Sequence, residues 1–129
     1  MLTNNKVIML GGHILKETGS TIDETAQTAL DGFNIDLAII ATSSIDSDMV
    51  LCTPDLNRKA IKETALKRSS KSILVTDSSK FYRKSLYKIM PIQAFDVIIS
   101  DIDPTELKDV DLSGTEFIPL DCKVETDKS

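Results

Sequence analysis

The sequence predicts an α/β fold, a parallel-sheet domain with flanking helices, and three observations carry that expectation. Apolar runs rich in Ile, Val and Leu, at Ile35–Ala41, Ser72–Thr76 and Asp96–Ser100, suit strands covered on both faces. Helical stretches separate the first of these runs, and the order β, α, β, α, β implies right-handed crossovers onto one parallel sheet. Each run also breaks off in polar residues. The sharpest case is Ser72-Ile73-Leu74-Val75-Thr76-Asp77-Ser78-Ser79-Lys80-Phe81, where an aliphatic strand opens into an acid, two hydroxyls and a cation. Ligands of open α/β sheets gather at such carboxyl ends.

Taken in order, Lys6-Val7-Ile8-Met9-Leu10 reads as a first short strand that Gly11-Gly12 breaks. Thr21-Ile22-Asp23-Glu24 offers a capping box, with a helix from Ile22 to about Asp31 and Gly32 as its C-terminal cap. Ile35–Ala41 is the second strand, followed by the polar loop Thr42–Asp48. Thr53 as N-cap and Pro54 at the first helical position predict a second helix to about Arg68, with Leu56, Ala60, Ile61 and Ala65 on its apolar face. After the strand Ser72–Thr76 come a short strand at Leu86–Met90 stopped by Pro91, and a buried strand at Asp96–Ser100. A helical turn from Pro104 to about Lys108, a last strand at Glu116–Leu120 and a polar tail at 123–129 complete the chain. Four strand ends, at Gly11-Gly12, Thr42–Asp48, Asp77–Lys80 and Asp101–Asp103, would then converge on one edge of the sheet.

A chain of 129 residues with 41% hydrophobic and 27% charged residues is an ordinary globular domain, large enough to bury a core without disulfides or metal. Its net charge of −5 is the wrong sign for a domain that itself grips a phosphodiester backbone. Cys52 and Cys122 stand far apart with no Cys or His at ligand spacing, so the sequence supports no metal site and no disulfide framework, and a reducing cytoplasm is the simplest setting. No apolar run reaches membrane-spanning length.

The motifs leave alternatives. Gly11-Gly12 is a tight turn, or a place where backbone approaches an anion. Asp77–Lys80 is a solvated turn with a surface ion pair, or a site in which Lys80 meets phosphate and Asp77 accepts from sugar hydroxyls. Arg58 and Lys62 lie one helical turn apart and, on local sequence, read as solvated. His13 is the only histidine and has no nucleophile or acid tied to it locally, and Cys52 reads as a packing residue. Asp101-Ile102-Asp103-Pro104-Thr105 resembles the nucleophile motif of haloacid-dehalogenase-type phosphatases, but only 24 residues follow Thr105, too few for that family's downstream Lys and acids. A receiver domain with Asp77 as phospho-acceptor would need an acidic pair where Gly11-Gly12 stands.

With these stretches in hand, the chain resembles the C-terminal effector domain of the DeoR family of bacterial transcriptional regulators. The resemblance rests on Val7–Gly12, Gly19, Ile35–Ala38, Ile45–Asp48, Lys62, Asp77–Phe81 and Asp96–Asp101, in that order and spacing. It implies a fold similar to ribose-5-phosphate isomerase and glucosamine-6-phosphate deaminase, and a sensor of phosphorylated sugars in carbohydrate metabolism that converts nothing and needs no cofactor. By position it places Gly11, Gly12, Asp46, Lys62, Asp77 and Lys80 around the ligand. It further implies that residues 1–122 are a sensor domain truncated at its N-terminus, that a strand with a Gly-Thr-Thr phosphate loop precedes Met1, and that operator DNA is read by a separate winged helix-turn-helix in a homo-oligomer. The family commonly has Glu where Arg58 stands. The rival expectation is an enzyme, a sugar-phosphate isomerase using Asp46 or Asp48 as base or, less in keeping with the sequence, a phosphatase using Asp101 and Asp103.

Overall fold

The computed structural model describes residues 4–107 and 109–121. The elements run α1 (Glu24–Asp31), β1 (Ile35–Ile40), β2 (Ser44–Ile45), β3 (Val50–Thr53), α2 (Leu56–Arg68), β4 (Ser69–Thr76), β5 (Tyr87–Pro91), β6 (Val97–Ser100) and β7 (Glu116–Pro119). Strands β1, β4, β6 and β7 form a wholly parallel sheet in that order. Each neighbour in the sheet is therefore also the next of these strands in sequence, the arrangement that crossovers of one hand produce. The α/β class and the predicted strands at 35–41, 72–76, 96–100 and 116–120 are all present, with ends shifted by no more than three residues.

In a parallel ladder, residues in register face the same way, so Ile40, Leu74, Ile98 and Phe117 form one row. This face carries the core. The second sheet, β2-β3-β5, is antiparallel and packs over it together with α2, burying Ile45, Leu51, Leu74, Ile92, Phe95 and Ile98 almost completely. Removing this aliphatic area from water is the main favourable contribution to the fold. The opposite face is covered only in part: Val97 on β6 is buried there, while Leu37 and Ile39 on β1, Val75 on β4 and Ile118 on β7 stay exposed. The expectation of strands covered on both faces is therefore met in full on one face only, because α2 and the small sheet lie on the same side.

Other expectations are corrected. Lys6–Leu10 is not a strand. Among the described residues β1 pairs only with β4, and an apolar segment with no ladder partner leaves its backbone groups to water; Val7, Ile8 and Met9 are exposed accordingly. The cap of α1 is Asp23, not Thr21: its carboxylate accepts from the Ala26 N–H at 3.2 Å, while Thr21 pairs with Ile14 in an isolated bridge. The cap of α2 is Asp55, which accepts from the Asn57 N–H at 2.8 Å, because Thr53 is taken up as the buried last residue of β3. Thr42–Asp48 is not simply loop, since it contains β2 and begins a hairpin. Pro91 lies within β5, an edge strand where a missing N–H is tolerated. The helical turn is a 3-10 turn, Pro104–Glu106. Lys108, Cys122 and the tail at 123–129 lie outside the described residues.

Candidate functional site

The carboxyl ends of β1, β4 and β6 meet at one edge, where a cleft of about 260 Å³ is lined by Ala41, Thr42, Thr76, Asp77, Lys80 and Asp101, with Val75 and Leu120 at its apolar wall. The turn Ser78–Lys80 shapes it. Asp77 caps this turn, accepting from the Ser79 N–H at 2.9 Å and from the Ser79 hydroxyl. The Ser79 hydroxyl above all, helped by the Ser79 N–H and the Lys80 charge, holds the Asp77 carboxyl below its usual range against the opposing effect of burial. Asp101 accepts from the Ser78 N–H at 2.6 Å. Phe81, 5% exposed, anchors the turn in the core, and the Arg83 N–H donates to the Ile45 carbonyl beyond it at 3.0 Å. Lys80 is left half-buried at the cleft, and among the described residues it makes no ion pair.

A second cleft, of about 360 Å³, adjoins the first across Ala41 and Thr42. Its walls are Ser20 and Ile22 before α1, Ile39 and Ile40 at the end of β1, and Arg58, Ile61 and Lys62 on α2. Lys62 is half-buried, and its ammonium is pushed down to about 8, first by loss of water and then by repulsion from Arg58. Neither cation makes an ion pair among the described residues. A further hollow, also about 360 Å³, opens at the opposite edge of the sheet between α2 and Met90. There Asp96 is bonded to the Ser72 N–H at 2.8 Å, at the amino-terminal side of β4 and β6.

Of the six residues expected around a ligand, Asp77 and Lys80 line the first cleft and Lys62 the second. The other three lie elsewhere. Asp46 is buried in the β2–β3 hairpin, accepting from the Asp48 N–H at 2.9 Å, the Val50 N–H at 3.1 Å, the Cys52 thiol at 3.5 Å and the Lys88 ammonium at 3.3 Å. Gly11 and Gly12 are not at a strand end. Gly12, at φ +102°, lies so close to Asp23 that a Cβ would overlap its carboxylate, which accepts from the His13 N–H at 2.8 Å and approaches His13 Nδ1 at 3.1 Å. Gly12 and His13 dock the N-terminal segment onto the start of α1. Convergence at the sheet edge thus falls from four predicted loops to three strand ends. Ala41, Thr42 and Arg58 join them; Thr42 opens one of the polar strand ends expected to converge, and Arg58 shares with Lys62 a helical stripe, Pro54, Arg58, Lys62, Leu66, with no acid.

A parallel sheet whose strand ends enclose a polar cleft defines a small-molecule-binding α/β domain. The family model described as the DeoR C terminal sensor domain matches residues 1–102, and the chain belongs to that family. It is 26% identical over 117 residues to the HTH-type transcriptional regulator GlpR of Haloferax volcanii, a match covering 89% of this chain and 46% of that protein. It is 30% identical over 115 residues to a putative aga operon transcriptional repressor of Escherichia coli O157:H7, covering 88% of this chain and 43% of the relative. Over 99 residues it is 29% identical to the glycerol-3-phosphate regulon repressor of Escherichia coli K12, covering 77% and 39%. The chain thus spans less than half the length of these relatives, each named as a regulator or repressor of transcription. No helix among the described residues is long and apolar enough to cross a membrane.

Proposed function

We propose that this chain is the effector-sensing part of a transcriptional repressor. In this reading it binds a phosphorylated sugar or polyol at the carboxyl edge of its parallel sheet, and the binding alters operator affinity in a separate winged helix-turn-helix of a homo-oligomeric regulator. The observation that carries the reading is the pair of adjoining clefts, where Lys80, Lys62 and Arg58 present cations with no ion-pair partner among the described residues beside carboxylates that can accept from hydroxyls. Regulation would be a population shift, since a ligand moves a two-state equilibrium only by its differential affinity for the two arrangements.

The isomerase reading is less well supported. Asp46 is engaged by four donors and Asp48 pairs with Lys88 at 3.3 Å, and neither lines either cleft. Asp101, the phosphatase nucleophile of the other alternative, is engaged by the Ser78 N–H.

A thermal-shift panel of pentose, hexose and glycerol phosphates beside the unphosphorylated compounds tests the proposal. A ligand at about a hundredfold its Kd should add about 2.7 kcal/mol of stability. Stabilisation by a phosphorylated compound, absent with its unphosphorylated counterpart and without turnover on incubation, is the expected result. No response across the panel, or turnover abolished by Asp46→Asn, contradicts it.

A further inference from the structure

The two clefts share Ala41 and Thr42 but differ in charge. The Lys80 cleft holds one cation and two carboxylates, Asp77 and Asp101, so its charged lining sums to −1. The Arg58 cleft holds Arg58 and Lys62 and no carboxylate, so its lining sums to +2. Resting on the sensor reading above, we infer that the ligand's phosphate is taken by Arg58 and Lys62, while the cleft of Asp77, Asp101 and Lys80 receives its uncharged hydroxyls.

Three features of the α2 cleft support this division. Two like charges one helical turn apart repel each other, and Lys62 bears the further cost of lost water, a cost that a bound dianion offsets. The first turn of α2 contains Arg58 and Lys59, and its one nearby carboxylate, the N-cap Asp55, is engaged by the Asn57 N–H and does not line the cleft. Arg58 also supplies a planar fork that matches two phosphate oxygens at once, while Lys62 acts as a point charge beside it.

In the other cleft the same physics disfavours an anion. Asp77 and Asp101 are held at Lys80 by their bonds to Ser79 and Ser78, so a phosphate there would face two fixed carboxylates. Carboxylate oxygens not used in these bonds can accept from hydroxyls, and Lys80 can donate to one. Because Ala41 and Thr42 belong to both walls, one small molecule can reach both.

The test uses inorganic phosphate, which has no sugar hydroxyls, followed by NMR of the lysine ε-methylene groups, and glycerol 3-phosphate for comparison. Phosphate should give a saturable shift at Lys62, weakened about tenfold or more by Arg58→Gln and much less by Arg58→Lys. Lys80→Gln should weaken phosphate binding much less than Arg58→Gln does, and weaken glycerol 3-phosphate more than it weakens phosphate. Melting of the unliganded variants verifies that each is folded. The inference is overturned if phosphate shifts Lys80 in place of Lys62, if no saturable change occurs at Lys62, or if Arg58→Gln binds phosphate as tightly as the parent. Binding of inorganic phosphate at Lys62 with no sugar or polyol phosphate bound more tightly sustains the anion site and removes the sensor reading. Tight binding of a sugar phosphate that ignores Arg58→Gln does the reverse.

Discussion

Asp46 and Lys62 show how the same kind of residue, polar and withdrawn from water, reads differently once its partners are counted. Burial pushes the Asp46 carboxyl up, but the Val50 N–H, the Lys88 ammonium, the Asp48 N–H and the Cys52 thiol outweigh it and hold it below its usual range. With its folded pKa depressed, Asp46 contributes stability above the unfolded carboxyl range, and that contribution fades as pH falls through the folded value. Replacing it by Ala removes the acceptor of the Asp48 and Val50 N–H groups and of the Lys88 ammonium and should cost about 2 to 4 kcal/mol, measured by urea unfolding at neutral pH. Lys62 runs the other way. Its folded pKa, about 8, lies below that of an exposed lysine, so the unfolded chain binds more protons above that pH. Stability should therefore rise with pH between about 8 and 10.5 on account of this group. Arg58 is the other charged side chain lining its cleft. The difference between the parent and Lys62→Met in urea midpoint, followed from pH 7.5 upward, isolates the effect; parallel curves would contradict it.

At the level of elements, the turn after β4 was legible because its chemistry is local: Asp77 caps Ser78–Lys80, and Phe81 is the one apolar residue that returns to the core. Strands β1, β4 and β6 were legible because an uninterrupted aliphatic run has few other uses. The β2–β3 hairpin was not, since its pairing is set by Asp46 binding the Asp48 and Val50 N–H groups and by Met49 at φ +60°, and no alternating pattern announces it. Lys6–Leu10 misled in the opposite direction, because a strand-like composition supplies no partner. Gly12 illustrates a role that spacing cannot reveal. A Gly12→Ala substitution combines positive φ with a Cβ overlapping the Asp23 carboxylate. It should detach the segment before α1, giving faster hydrogen exchange at the His13 amide with little change in exchange across β4 and β6. Unchanged exchange at His13 would contradict the docking role.

For the molecule as a whole, three strand ends and one helix bring residues from Ser20 to Leu120 into two clefts that share a wall. The sequence exposed the sheet edge as a place for a site, because aliphatic strand residues followed at once by Asp, Ser and Lys mark where the core gives way to polar chemistry. It could not show Arg58 as part of that site. Two cations a turn apart look the same on a solvated helix, and only the closure of Ser20, Ile22 and Ala41 over α2 distinguishes the cases. Family membership then joins the parts to a regulator. The sensor reading stands or falls on a phosphorylated sugar or polyol binding at this edge. A backbone amide NMR titration with the strongest binder from the thermal panel decides it. Saturable shifts should cluster at Ala41, Thr42, Ser78–Lys80 and Asp101 and extend to Lys62. Shifts confined to Ser72, Met90 and Asp96, at the opposite edge, would contradict it.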